Sequence, residues 1–187
     1  MAGESEGKHA EARHSETAHS ETAHSETPRS ESLHFETKSS AETIEVGRKL
    51  ARLLQPPKFL ILRGDLGAGK TTLVKGIAEA LDAADADEVT SPTFTLVHEY
   101  EGTRNVAGKP QKVELYHLDL YRVETERQLE TLGLADLATE SSLVLVEWGE
   151  KFPSVVQRSD GEILMEAGPE DTRRITVTLK AEKPKNP

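Results

Sequence analysis

Hydrophobic positions in this chain change period several times, and each change marks an element. Ile44, Gly47, Leu50, Ala51 and Leu54 recur at helical spacing behind Ser39-x-x-Glu42, a capping-box start, until Pro56-Pro57 stops the helix. Phe59-Leu60-Ile61-Leu62 is then continuously apolar, the pattern of a strand buried on both faces in a parallel sheet. Leu73, Val74, Ile77, Ala78 and Leu81 return to helical spacing. Ser91-Pro92-Thr93-Phe94 breaks that period before an extended segment from Thr95 to Tyr100. A turn-rich stretch, Gly102 to Pro110, leads to a second extended segment closing on Leu118-Asp119, so the pair predicts a hairpin. Val123 to Leu137 reads as helical with an interruption at Gly133, and Leu143-Val144-Leu145-Val146 as another central strand ahead of Glu147-Trp148. Glu162 to Glu166 and Arg174 to Leu179 supply two edge strands. Strand–helix–strand alternation beside a hairpin predicts an α/β fold of three layers with a mixed central sheet.

The apolar pattern is missing from the first 37 residues. Ala18-His19-Ser20-Glu21-Thr22 recurs as Ala23-His24-Ser25-Glu26-Thr27, and almost no large apolar residue interrupts the repeat. Such a segment cannot bury enough surface to offset its ordering entropy, so residues 1–37 are expected to be a disordered low-complexity leader. Its spaced histidines have no fixed geometry in which to hold a metal ion, and it resembles neither a secretory signal nor a transit peptide. Residues 38–181 are the size of one domain, and 182–187 form a flexible tail.

Composition narrows the function classes. There are no cysteines, which excludes disulfides, thiolate zinc sites and cysteine nucleophiles. No apolar run approaches the ~20 residues that cross a bilayer. A soluble cytoplasmic protein without a membrane partner is expected. The net charge of −10 argues against an independent grip on a phosphate backbone, although Arg104, Lys109 and Lys112 could form a local basic spot.

The candidate chemistry begins where the first central strand ends. Gly64-Asp65-Leu66-Gly67-Ala68-Gly69-Lys70-Thr71 spells the phosphate loop G-x-x-x-x-G-K-[ST] between a strand and a helix, as in the P-loop NTPase fold. In that loop successive amides turn inward around phosphates, the following helix aims its positive end at them, and glycines permit the close approach. Lys70 is placed to reach the β- and γ-phosphates, and the Thr71 hydroxyl to hold Mg²⁺ beside them. Phosphoryl transfer to water needs a further acid at the carboxyl end of a neighbouring strand. Asp119 and Glu147 both end apolar strands and meet that need. Either can serve either role; the working assignment gives Asp119 the polarisation of metal-bound water and Glu147 the part of metal ligand or general base. Thr93 lies in a loop suited to sensing a γ-phosphate, and an ordinary proline turn explains Ser91-Pro92-Thr93 equally well. Trp148, the single tryptophan, is core packing or a reporter on the adjacent nucleotide site. His98 and His117 read as packed or surface histidines rather than ligands. The only asparagines are Asn105 and Asn186, and neither begins the N-K-x-D pattern that reads guanine, so ATP is the expected nucleotide.

Taken together, Gly64 to Thr72, Ser91 to Val97, Tyr116 to Arg122 and Val146 to Trp148 closely resemble the bacterial TsaE (YjeE) family in both order and spacing. The resemblance covers the chain from about Thr37 to Trp148. It implies a small ATPase that acts with TsaB and TsaD in placing the threonylcarbamoyl group on the adenosine beside the anticodon of certain tRNAs. Carried over by position, phosphate and Mg²⁺ contacts fall on Gly67 to Thr72 with Thr71 on the metal, the acidic positions on Asp119 and Glu147, and the adenine near Thr37 and Ser39. The late Arg173-Arg174 pair is a candidate contact for nucleotide or partner, but the motif there is too weak to carry a role. An acidic ATPase need not hold tRNA if its partners do, and hydrolysis by the isolated chain is expected to be slow because no arginine finger is evident. Two alternatives remain: a small-molecule kinase, for which no lid segment is evident, and a binding module gated by nucleotide, in which hydrolysis only resets partner binding.

Overall fold

Strand β2 (Lys58–Arg63) sits at the middle of a seven-stranded sheet because its four central side chains are buried on both faces. The computed structural model describes residues 31–181, so the expected disorder of residues 1–30 and the tail at 182–187 lie outside the described residues. The remaining strands are β1 (Glu31–Thr37), β3 (Val97–Val106), β4 (Lys109–Asp119), β5 (Ser142–Glu147), β6 (Gly161–Ala167) and β7 (Arg173–Leu179), in the order β1-β7-β6-β2-β5-β4-β3. β2 runs parallel to both β5 and β6, and β5 parallel to β4. The β3–β4, β6–β7 and β1–β7 pairs are antiparallel, which makes the sheet mixed.

Alternation along the strands divides the core into two layers. Leu60, Leu62, Leu115, Leu143 and Leu145 pack toward helices α1 (Ser40–Leu53) and α2 (Lys70–Ala80). Phe59, Ile61, Leu118, Val144 and Val146 face the opposite way, toward the short helices α3 (Glu126–Glu130), α4 (Leu134–Leu137) and α5 (Pro153–Arg158). The expected three-layer α/β arrangement therefore holds. Slipping β5 by one residue would exchange its two faces and carry Glu147 off the α2 side, so the apolar pattern fixes the site's register as well as the core's.

Glycines set the spacing between α1 and α2. A Cβ on Gly76 would lie 1.9 Å from the Ile44 carbonyl oxygen, and one on Gly47 would lie 2.3 Å from that of Leu73. The two backbones meet there without intervening side chains. Helix α1 starts at Ser39, whose Oγ accepts from the Glu42 amide, while the Glu42 carboxylate reaches back to the Lys38 amide.

Three expectations are corrected. Residues 31–37 are not leader: they form the edge strand β1, which pairs Leu33 with Val177 and Phe35 with Ile175. Its side chains are mostly exposed, so its pattern is weak, and the cross-strand pairing supplies what local propensity does not. The hairpin turn is also much tighter than a Gly102–Pro110 loop, because β3 continues to Val106 and only Ala107 and Gly108, both at positive φ, turn the chain. Finally, β6 and β7 are interior strands; the edges are β1 and β3. Among the described residues no helix is long and apolar enough to cross a membrane.

Candidate active site

The loop that leaves β2 can take its path only with glycine. Gly64 has φ 144° and a Cβ there would stand 2.4 Å from the Met165 carbonyl oxygen, so the loop crosses directly against β6. Gly67 and Gly69 also lie at positive φ, 81° and 103°. Gly69 is the N-cap of α2 and has no side chain to accept from the first-turn amides, and no acidic residue occupies that turn. Those donors are left for another acceptor. Ala68 is buried in the core and Leu66 at the tip is 94% exposed.

Lys70 folds back over this loop. Its Nζ donates to the carbonyls of Gly64 at 2.8 Å and Asp65 at 3.1 Å and lies 3.4 Å from Glu147 Oε2. The side chain is only 6% exposed. The ammonium also stands 5.3 Å from the centre of the Trp148 ring, within cation–π range. Trp148 is held in the left-handed region at φ 60°, and Tyr121 packs on it with ring centres 5.3 Å apart.

The two acids arrive from neighbouring strands. Asp119 and Glu147 are register partners at the carboxyl ends of β4 and β5, and both are buried. Asp119 Oδ2 accepts from the Thr93 hydroxyl at 2.6 Å, and its Oδ1 accepts from the Tyr121 amide at 2.9 Å. Ser91 and Thr93 hydroxyls are hydrogen-bonded to each other at 2.9 Å. Glu147 Oε1 lies 2.8 Å from Nε2 of His117. His117 is thus packed, as expected of it, but it is packed onto a candidate catalytic acid.

These groups surround one cleft of about 640 Å³, lined by Leu66, Gly67, Gly69, Lys70, Thr71, Thr72, Ser91, Thr93, Asp119, Tyr121, Glu147 and Trp148. A second cleft of about 400 Å³ lies beyond the loop and shares Gly67, Gly69 and Thr72 with the first. Ser39, Thr43, Asp171 and Arg173 line it. Of the two positions expected near a base, Ser39 reaches this second cleft. Thr37 does not: it is buried and hydrogen-bonded to Thr43 at 2.9 Å. Gly64, Asp65 and Ala68 line neither cleft. Gly64 and Asp65 act through their carbonyls on Lys70, and Ala68 anchors the loop in the core.

Residues 37–175 match the family model described as threonylcarbamoyl adenosine biosynthesis protein TsaE. The chain belongs to the TsaE family. It is 38% identical over 122 residues to the tRNA threonylcarbamoyladenosine biosynthesis protein TsaE of Haemophilus influenzae, covering 63% of this chain and 71% of that protein. The TsaE of Bacillus subtilis is 37% identical over 146 residues, 78% of this chain and 85% of that protein, and the TsaE of Aquifex aeolicus is 41% identical over 114 residues, 61% and 74%. A crystal structure of Bacillus subtilis YdiB superimposes with a TM-score of 0.55 at 27% identity, covering 82% of this chain and 88% of that one. The TsaE family is one of tRNA threonylcarbamoyladenosine biosynthesis, and this chain shares its fold.

The chemistry of the cleft follows from its donors. Thr71, Asp119 and Glu147 offer only hard oxygens, the donor set for Mg²⁺ rather than for a soft metal. Among the described residues no group of three or more His, Cys, Asp or Glu side chains converges on one point. Tyr121, Ser91, Asp171 and Arg173 line the clefts without having been assigned a role from sequence. For Tyr121 the signal was available in its position two residues after Asp119; for Arg173 it was the Arg173-Arg174 pair, whose motif was too weak to carry a role.

Proposed function

We propose that this TsaE-family chain binds and hydrolyses ATP with Mg²⁺ as the energy-supplying subunit of tRNA threonylcarbamoylation, acting with TsaB and TsaD at the adenosine next to the anticodon. The observation that carries the reading is the convergence of a glycine-built loop, the buried Lys70, Thr71 and two register-paired carboxylates on one cleft. In this reading the loop amides and the first turn of α2 take the phosphates, and Lys70 exchanges its two carbonyl partners for β- and γ-phosphate oxygens. Thr71 and Asp119 would hold Mg²⁺, which supplies charge neutralisation across the β- and γ-phosphates. Glu147, its other oxygen already engaged, orients and deprotonates the attacking water. The second cleft, on the far side of Gly67 and Gly69, takes the base and ribose, with Ser39 and Arg173 in its wall.

Partners enter through what the cleft lacks. Among the described residues, Lys70 is the one cationic side chain in its lining, and Arg173 borders only the second cleft. Charge developing on the transferred phosphoryl group then waits for a group supplied in trans, and tRNA is engaged only through the assembly. Nucleotide-free chain, chain with TsaB–TsaD, and both with Mg²⁺–ATP should be compared by Trp148 emission and phosphate release. Slow turnover alone and a marked rise with the partners is the expected outcome; equal turnover in both removes the partner dependence, and an unchanged signal in Lys70→Ala removes the nucleotide site. Glu147→Gln is expected to abolish turnover and keep ATP-dependent binding to TsaB–TsaD. Phosphorylation of a small acceptor by the wild type would favour the kinase reading instead.

A further inference from the structure

Glu147 is held from beneath the cleft. His117 precedes Asp119 by two residues on β4, so the two share a face of the sheet, and register places His117 opposite Leu145, on the diagonal to Glu147. The 2.8 Å hydrogen bond between His117 Nε2 and Glu147 Oε1 closes that diagonal. A carboxylate oxygen accepts, which puts the proton on Nε2. The imidazole is 0% exposed and its Nδ1 has no hydrogen-bond partner among the described residues. Leucine, as at the neighbouring inward positions Leu115 and Leu145, would fill such a place without burying an unpaired nitrogen. The single bond to Glu147 is therefore what the ring's polarity contributes here.

With Oε1 occupied, the oxygen left toward the cleft is Oε2, 3.4 Å from Lys70 Nζ. We propose that His117 is a positioning residue for Glu147: it fixes one carboxylate oxygen so that the other is presented to Lys70 and to the phosphate end of the substrate. The role deepens the ATPase reading and rests on it. A free glutamate spreads over several rotamers, and reaction from one of them would require reordering at each turnover. A carboxylate tied in advance avoids that step. His117 itself is sealed below the site and touches no substrate.

Side-chain reach supplies the test. Glutamine carries an N–H about as far from the backbone as imidazole Nε2, whereas asparagine ends near the level of Nδ1. His117→Asn is expected to lower kcat roughly 10- to 100-fold, as for lost outer-layer partners of site ligands, with KM for ATP nearly unchanged. His117→Gln is expected to recover most of that loss. Equal losses in His117→Asn and His117→Gln, or wild-type kcat in His117→Asn, would each overturn the proposal. Should His117→Asn fail to fold, His117→Leu serves as the donor-free variant. Crystal structures of the nucleotide-free full chains give a second readout: Glu147 should leave its position in the donor-free variant and keep it in His117→Gln. An unmoved Glu147 in the donor-free variant overturns the proposal. A wild type that neither binds nor hydrolyses ATP would instead sink the ATPase reading, and those structures would still judge His117.

Discussion

Thr93 donates to Asp119 across 26 residues of sequence, with 2.6 Å between hydroxyl and carboxylate. The bond ties the loop between α2 and β3 to the last residue of β4, and Leu96 reinforces it by accepting from the Asp119 amide at 3.1 Å. Loop and acid are thus coupled before any ligand arrives. Thr93→Val removes the donor at nearly constant volume. Amides of Ser91 and residues 93–96 are expected to exchange faster with deuterium, and the proposed ATP turnover to fall roughly 10-fold, while Thr93→Ser keeps wild-type exchange and turnover. Unchanged exchange in the valine variant would show that the loop is held by other means.

Lys70 and Trp148 make a built-in reporter, since the ammonium lies 5.3 Å from the ring centre and the chain has one tryptophan. Phosphates that draw Lys70 away from the ring change the field on the indole. Mg²⁺–ATP should therefore shift Trp148 emission in wild type, and Lys70→Ala should alter the ligand-free spectrum and abolish the shift. A normal titration in Lys70→Ala would mean that the signal arises elsewhere.

Gly76 has no room for a methyl group, because a Cβ would lie 1.9 Å from the Ile44 carbonyl oxygen on α1. Alanine's better helix propensity cannot offset that backbone clash. Gly76→Ala is expected to cost about 1–3 kcal/mol or more, read as a lower urea midpoint. Helix α2 begins with Lys70, so the displacement should also weaken nucleotide binding. An unshifted midpoint would mean that the two helices separate freely.

Lys151 spends all three of its donors on one loop. Its Nζ reaches the carbonyls of Leu120 at 3.1 Å, Tyr121 at 2.9 Å and Val123 at 2.9 Å, immediately after Asp119. Lys151→Met keeps most of the stem and removes the bonds. The loss should be about 1–2 kcal/mol of stability, with faster amide exchange confined to residues 120–123. Global exchange instead would place Lys151 in the folding core rather than in loop control.

Much of the fold was legible because its strongest signals are local. Phe59 to Leu62 and Leu143 to Val146 are apolar throughout, and only strands covered on both faces tolerate that. β1 was not legible, since an edge strand needs few apolar residues and owes its existence to β7. The inward order of β6 and β7 was hidden for a similar reason: strand order is a relation between segments, and no single segment records it.

The amino-acid sequence alone marked the glycine-built loop between β2 and α2, the two acids at strand ends and the alternation of layers, since spacing and residue type determine these within a few residues of one another. Tertiary structure alone decided that Asp119 and Glu147 stand side by side, that His117 underlies Glu147, and that Ser39 and Arg173 share a cleft with Gly67. Those pairings depend on parallel register and on sheet order, which are fixed only when distant segments bury their faces against one another.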